Sequence, residues 1–316
     1  MNAYRPPFWL PEAHSQTIVP SLHPPPRVAL LRERWDTPDG DFIDVDWAGR
    51  RDAERTLVLF HGLEGSSDSH YARDFAAHAI ARGWRIALPH FRGCSGEPNR
   101  LPRAYHSGDS AEIDWILRRL AASSPALHAA GVSLGGNALL KWLGERSTAA
   151  ARVVRRAAAV CAPLDLSAAG HALDRGFNRA VYTRAFLATL KQKAIAKLER
   201  FPGLYDAERV RAASTFHEFD SLVTAPLHGF RDADDYWHKS SSARWLVGVR
   251  VPTLVLNARN DPFLPEAALN AATREVSSDV LLELSPEGGH VGFLEPPFPG
   301  RHGWLARRVF EFLEGR

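Results

Sequence analysis

The stretch Gly131-Val132-Ser133-Leu134-Gly135-Gly136 sets one serine in a G-x-S-x-G frame, after the apolar run Leu127 to Val132 and before the helix-like run Asn137 to Leu143. A serine between a strand end and a helix start must occupy a very sharp turn. Glycines two residues to either side let the neighbouring chain pass without a Cβ clash, and the hydroxyl is left exposed above a sheet. This is the arrangement of a nucleophile elbow.

Outward from that point the chain alternates strand and helix. Thr56 to Phe60 predicts a buried strand, Tyr71 to Arg82 a helix, Arg85 to Leu88 a strand and Ser110 to Ala121 a helix, with Ile113, Leu117 and Leu120 on one face. Val153 to Cys161, Thr253 to Asn257 and Val280 to Leu284 are further strands, and Trp304 to Leu313 is a closing helix. The alternation predicts an α/β fold: a mostly parallel central sheet flanked by helices. Before it, Val28 to Leu31 and Phe42 to Trp47 flank the turn signal Thr37-Pro38-Asp39-Gly40 and predict a β-hairpin. The opening, through about Pro26, is rich in proline, histidine and aromatics and suits an irregular arm, not a helix.

Between Pro163 and Trp245 the rhythm breaks. A basic helical pattern, Tyr182 to Arg200, precedes a polar and aromatic run from His217 to His238. The resulting division is an N-terminal arm and hairpin over 1–50, a core over 51–163 and 246–316, and a helical cap insertion over 164–245.

Composition bounds the function. Of 316 residues, 45% are hydrophobic and 24% charged, and the 39 Lys and Arg exceed the 36 Asp and Glu by a net charge of only +3. That is too mild for a nucleic-acid partner. No polybasic block points to anionic lipid, although Phe8, Trp9 and the basic cap leave peripheral membrane contact open. No apolar run approaches membrane-span length, and the first residues lack a secretory h-region, so a cytoplasmic location is expected. Cys94 and Cys161, far apart and in no C-x-x-C spacing, predict reduced structural thiols and neither a disulfide nor a metal site. H-E-x-x-H, P-loop and dinucleotide fingerprints do not occur, so no cofactor is expected.

A serine hydroxyl is a weak nucleophile at neutral pH. Ser133 needs a base, and the base an orienting acid, in the chain order Ser, Asp or Glu, His. Asp261 follows the strand Thr253 to Asn257, and His290 sits in Gly288-Gly289-His290-Val291-Gly292 after the last strand. Asp165, after the preceding strand, is the rival carboxylate, and His302 is the only later histidine. A tetrahedral oxyanion also needs backbone donors. His61-Gly62-Leu63-Glu64-Gly65 follows the strand Thr56 to Phe60, so the N–H groups of Leu63 and Leu134 are the candidates, with His61 bracing the loop. Ser95, in Phe91-Arg92-Gly93-Cys94-Ser95-Gly96, lacks the elbow spacing and is read as part of a structural turn.

Several of these motifs, taken jointly, resemble the YheT-like branch of the α/β-hydrolase superfamily: His14-Ser15-Gln16-Thr17-Ile18, the loop from His61 to Ser66, the turn from Phe91 to Gly96, the elbow from Gly131 to Asn137, and Val223-Thr224-Ala225-Pro226-Leu227-His228-Gly229-Phe230. The resemblance runs from Pro11 nearly to the C-terminus. It implies a Ser133, Asp261, His290 triad acting on small-molecule carboxylic esters without a cofactor. Relatives in the branch include acyl-ester hydrolases, alcohol O-acyltransferases and phospholipases. A binding protein that keeps the fold without turnover is the alternative of another class. Asn260 stands where the branch commonly has an acidic residue.

Overall fold

The computed structural model describes residues 4–316. Eight strands build one sheet: β1 (Leu31–Asp36), β2 (Phe42–Ala48), β3 (Arg55–Phe60), β4 (Arg85–Pro89), β5 (Ala126–Val132), β6 (Ala157–Val160), β7 (Thr253–Ala258) and β8 (Val280–Ser285). Their order is β1-β2-β4-β3-β5-β6-β7-β8. The pairs β1 with β2 and β2 with β4 are antiparallel, and every pair from β4 through β8 is parallel.

Alternate residues of the central strands feed two separate cores, as the two-residue strand period requires. Val58, Phe60, Ala129 and Val255 face one side, against α3 (Ser110–Ala121) and α4 (Leu134–Arg146). Leu57, Leu59, Val132 and Leu254 face the other, against α2 (His70–Ala81) and the C-terminal helix Trp304–Leu313. With both faces covered, β7 is buried along its whole length, and its middle, Leu254, Val255 and Leu256, reads as an unbroken apolar run.

Two local expectations need correction. The opening arm contains a helix, α1 (Ala13–Leu22), with Pro20 inside it. Glu12 caps it by accepting from the amides of His14 and Ser15, each at 3.0 Å. Pro20 has no N–H for the Gln16 carbonyl four residues back, but tertiary contacts fix that turn: a Cβ on Gly292 would lie 2.0 Å from the Gln16 oxygen. The first hairpin strand is Leu31–Asp36, later than Val28 to Leu31. It is an edge strand whose residues are nearly all exposed, so no apolar alternation marks it, and its register is set by pairing Trp35 with Ile43.

Between β6 and β7 the chain leaves the sheet and forms helices Leu166–Leu173, Arg184–Arg200, Ala207–Ala212, Phe216–Phe219 and Ala233–Ser240 with their connecting turns. These have a hydrophobic cluster of their own around Leu187, Phe216, Phe219, Val223 and Trp237. Among the described residues, no helix is long and apolar enough to cross a membrane.

Candidate active site

Ser133 has φ of +52°, in the left-handed region, and is followed at once by α4. Such a conformation costs on the order of 1–3 kcal/mol for a non-glycine residue and persists only where the surroundings over-determine it. Here the Ser133 amide donates to the Val160 carbonyl at 2.8 Å. The flanking glycines are required by space: a Cβ on Gly131 would lie 2.4 Å from the Gly135 oxygen, and one on Gly135 would lie 2.5 Å from the Phe60 oxygen.

The structure brings Ser133, His290 and Asp261 together. The Ser133 hydroxyl donates to His290 Nε2 at 3.0 Å, and His290 Nδ1 donates to Asp261 Oδ2 at 2.8 Å. The other carboxylate oxygen of Asp261 accepts from the Phe263 amide at 2.9 Å, and the Phe263 ring packs 4.3 Å from the imidazole. The rival Asp165 is spent as a helix cap, accepting from the Ala168 amide at 3.0 Å. His302 bonds the His23 carbonyl at 2.9 Å.

The loop from His61 to Gly65 lies beside the serine, with the Cβ position of Gly62 3.2 Å from that of Ser133. On either side of Leu63 the amides are occupied: that of Gly62 by the Tyr71 hydroxyl at 2.8 Å and that of Glu64 by the Tyr105 hydroxyl at 2.9 Å. Leu134 opens α4, where an amide has no intrahelical acceptor. His61 is locked in place, Nδ1 donating to the Gly62 carbonyl at 2.7 Å and Nε2 accepting from the Phe91 amide at 3.0 Å. Burial pushes its pKa down to about 3, so it is a neutral brace at physiological pH. Ser95 contributes its carbonyl to Arg32 at 2.8 Å.

The residues that sequence reasoning missed are those that hold His290. Its loop holds two non-glycine residues in the left-handed region, Val291 and Phe293 at φ of +61° and +48°, beside Gly289 at +57°. A β-branched residue such as Val291 rarely adopts that region. Helix α1 clamps this loop: Thr17 Oγ1 accepts from the His290 amide at 2.9 Å and Gln16 Oε1 from the Gly288 amide at 2.8 Å. Asn260 joins them, accepting from the Gly289 amide at 3.0 Å and donating to Gln16 Oε1 at 2.9 Å. On the far side, His70 Nε2 donates to the Val291 carbonyl at 2.9 Å, and Cys161 Sγ accepts from the Val291 amide at 3.4 Å. The signal was present in His14-Ser15-Gln16-Thr17-Ile18, but neither composition nor periodicity said what that run touches.

Cys161 thus lies directly under the site. Its thiol and the polar side-chain atoms of Asp261 and His290 come within 4.8 Å of one another. Burial holds the thiol well above its ordinary pKa, and the Asp261 and His290 donors are bonded to each other, so this set is poorly disposed to release its ligand atoms to a metal ion.

Ser133, His290, Leu63 and Leu134 open into a cavity of about 790 Å³ that extends beneath the helices of 163–245. Lys193 on helix Arg184–Arg200 ties that layer to the loop beside the serine, pairing with Glu64 at 2.8 Å.

Comparison with known proteins agrees with this architecture. Residues 55–297 match the family described as the alpha/beta hydrolase fold. The candidate esterase YheT of Escherichia coli is 37% identical over 95% of this chain and 89% of its own length. Phospholipase ABHD3 of Mus musculus is 29% identical over 99% of this chain and 78% of its own. Among solved structures, an esterase from Exiguobacterium antarcticum superposes with a TM-score of 0.59 at 16% identity, covering 90% of this chain and all of that one. The chain belongs to the α/β-hydrolase family, and within it to the branch that includes YheT.

Proposed function

We propose that the chain is a serine hydrolase of carboxylic esters with short- to medium-length acyl groups, working through an acyl-enzyme. The observation that carries this reading is the hydrogen-bonded series Ser133, His290, Asp261, directed into a largely apolar cavity. The names of the relatives, an esterase and a phospholipase, support the same chemistry.

As His290 Nε2 removes its proton, Ser133 Oγ attacks the acyl carbonyl. The imidazolium is held by Asp261, and the oxyanion is received by the amides of Leu63 and Leu134. Collapse expels the alcohol, which takes the proton from Nε2. Water, deprotonated by the same nitrogen, then releases the acid and restores the serine. The helices of 164–245 act as a cap that gives the cavity its apolar roof and sets which acyl chain fits.

Hydrolysis of p-nitrophenyl esters from two to sixteen carbons, by the wild type and by Ser133→Ala, tests the reading. Activity confined to the shorter chains and lowered on the order of 10⁶-fold in the variant is expected. Equal rates in the two proteins would refute it.

A further inference from the structure

Most of the cavity roof is apolar, and Phe219, Val223 and Trp237 are buried parts of it. Its polar exceptions include Lys193, Lys197, Thr224 and Asp220, and Asp220 keeps partial exposure beside the buried Phe219 and Trp237 as it lines the cavity. It opens a single π-helical turn, Asp220–Thr224, a distortion that recurs at functional sites.

The carboxylate has neutral partners only. Its Oδ1 accepts from the Thr224 hydroxyl at 2.6 Å and its Oδ2 from the Trp237 indole at 2.8 Å. A carboxylate offers about four acceptor positions, so each oxygen retains one. Its titratable neighbours are Asp174, which repels its charge, His217, which attracts it while engaged with Asp234 at 3.3 Å, and Tyr236. Burial raises its pKa to about 6, so it remains mostly ionised at neutral pH. An uncompensated carboxylate in such a place is costly. Both donors that meet it, a hydroxyl and an indole, are uncharged, and they fill only two of its roughly four acceptor positions. Among the described residues no salt bridge pairs the charge, and the residue lines the cavity.

We propose that Asp220, with Thr224, forms a polar subsite in the substrate pocket that accepts a hydrogen bond from a hydroxyl or ammonium group on the substrate. The preferred ester then carries such a donor away from the scissile bond, in place of a plain alkyl end. This rests on the serine-hydrolase reading of Ser133, and it extends that reading to the substrate's chemical class.

The test compares kcat/KM for ester pairs that differ only at the chain end: p-nitrophenyl alkanoates ending in methyl, hydroxyl or ammonium, and butanoates of n-alkanols, α,ω-diols and amino-alcohols. At one or more lengths the wild type should favour a donor-ended member by about 10-fold or more, since a site built to bond a polar group rejects the analogue lacking it. Asp220→Asn should reduce that preference to within about 2-fold. Trp237→Phe, which removes the indole donor and leaves the carboxylate, should keep it; equal loss in both variants would make Asp220 a mere brace and overturn the proposal. So would a wild type without preference at any length on either side of the ester. Calorimetric binding of the same pairs to Ser133→Ala reads the subsite without turnover. Equal affinity of methyl- and donor-ended chains there would sink the subsite while leaving Ser133-dependent hydrolysis intact as a separate result.

Discussion

The hydroxyl of Thr17 does two things at once: it accepts from the His290 amide and donates to the Ala13 carbonyl at 2.7 Å. Thr17→Val keeps the shape and removes both bonds. Leaving a part-buried amide unsatisfied costs up to about 1–3 kcal/mol, and next to the proposed base that cost should appear as misplacement of the imidazole. We expect kcat to fall roughly 10-fold with KM little changed, and Thr17→Ser to restore most of it, both read from steady-state kinetics. At the elbow, Gly131→Ala would drive a methyl against the Gly135 backbone. Overpacking of this kind costs about 1–3 kcal/mol, measurable as a lower urea midpoint. Ser133, Asp261 and His290 were legible in the sequence because each follows a strand end in a fixed chain order. Gln16, Thr17 and Asn260 were not, because what singles them out is spatial proximity across more than 240 residues, which no local pattern encodes.

At the scale of elements, the central strands were readable because burial on both faces makes them continuously apolar, whereas β1 was misplaced because an edge strand needs no such pattern. Helix α1 was missed for a different reason: its proline argued against a helix, and its tertiary contacts outweighed that argument. Residues 153–156 were expected in β6 but lie before Ala157–Val160, and Cys161 turns the chain at φ of +47°; apolar character extends beyond the hydrogen-bonded ladder. Because Glu12 supplies the α1 cap, Glu12→Ala should loosen the helix by about 0.5–2 kcal/mol. Activity should then be lost on heating at a lower temperature than the global melt followed by circular dichroism, since the helix holds the His290 loop and is a small part of the core.

For the molecule as a whole, acid stability is set by buried imidazoles. Burial lowers the pKa of His61 and His228 to about 3 and of His70, His106 and His128 to about 4. Above about pH 6.5 these are neutral folded or unfolded. Below it the unfolded chain takes up protons that the folded chain refuses, so stability falls as pH drops from about 6.5 towards 4. Asp74, raised to about 7, Asp220, raised to about 6, and Glu112, raised by burial and by the neighbouring Asp109, act in the opposite sense. His78 and His302 are lowered as well and Asp174 is raised; seven imidazoles against four carboxyls leave the imidazoles ahead, and Tm should decline between pH 7 and pH 5, whereas a flat or rising Tm would contradict this balance. The clamp on the His290 loop also has a consequence for biosynthesis. Gln16 meets Gly288 across 272 positions and Thr17 meets His290 across 273. A chain emerging from the ribosome makes α1 about 270 residues before its partner loop. The sheet can gather strand by strand, but His290, the proposed base, finds its seat only once its own loop has been made, so a product stalled before residue 290 should carry the serine and remain inert.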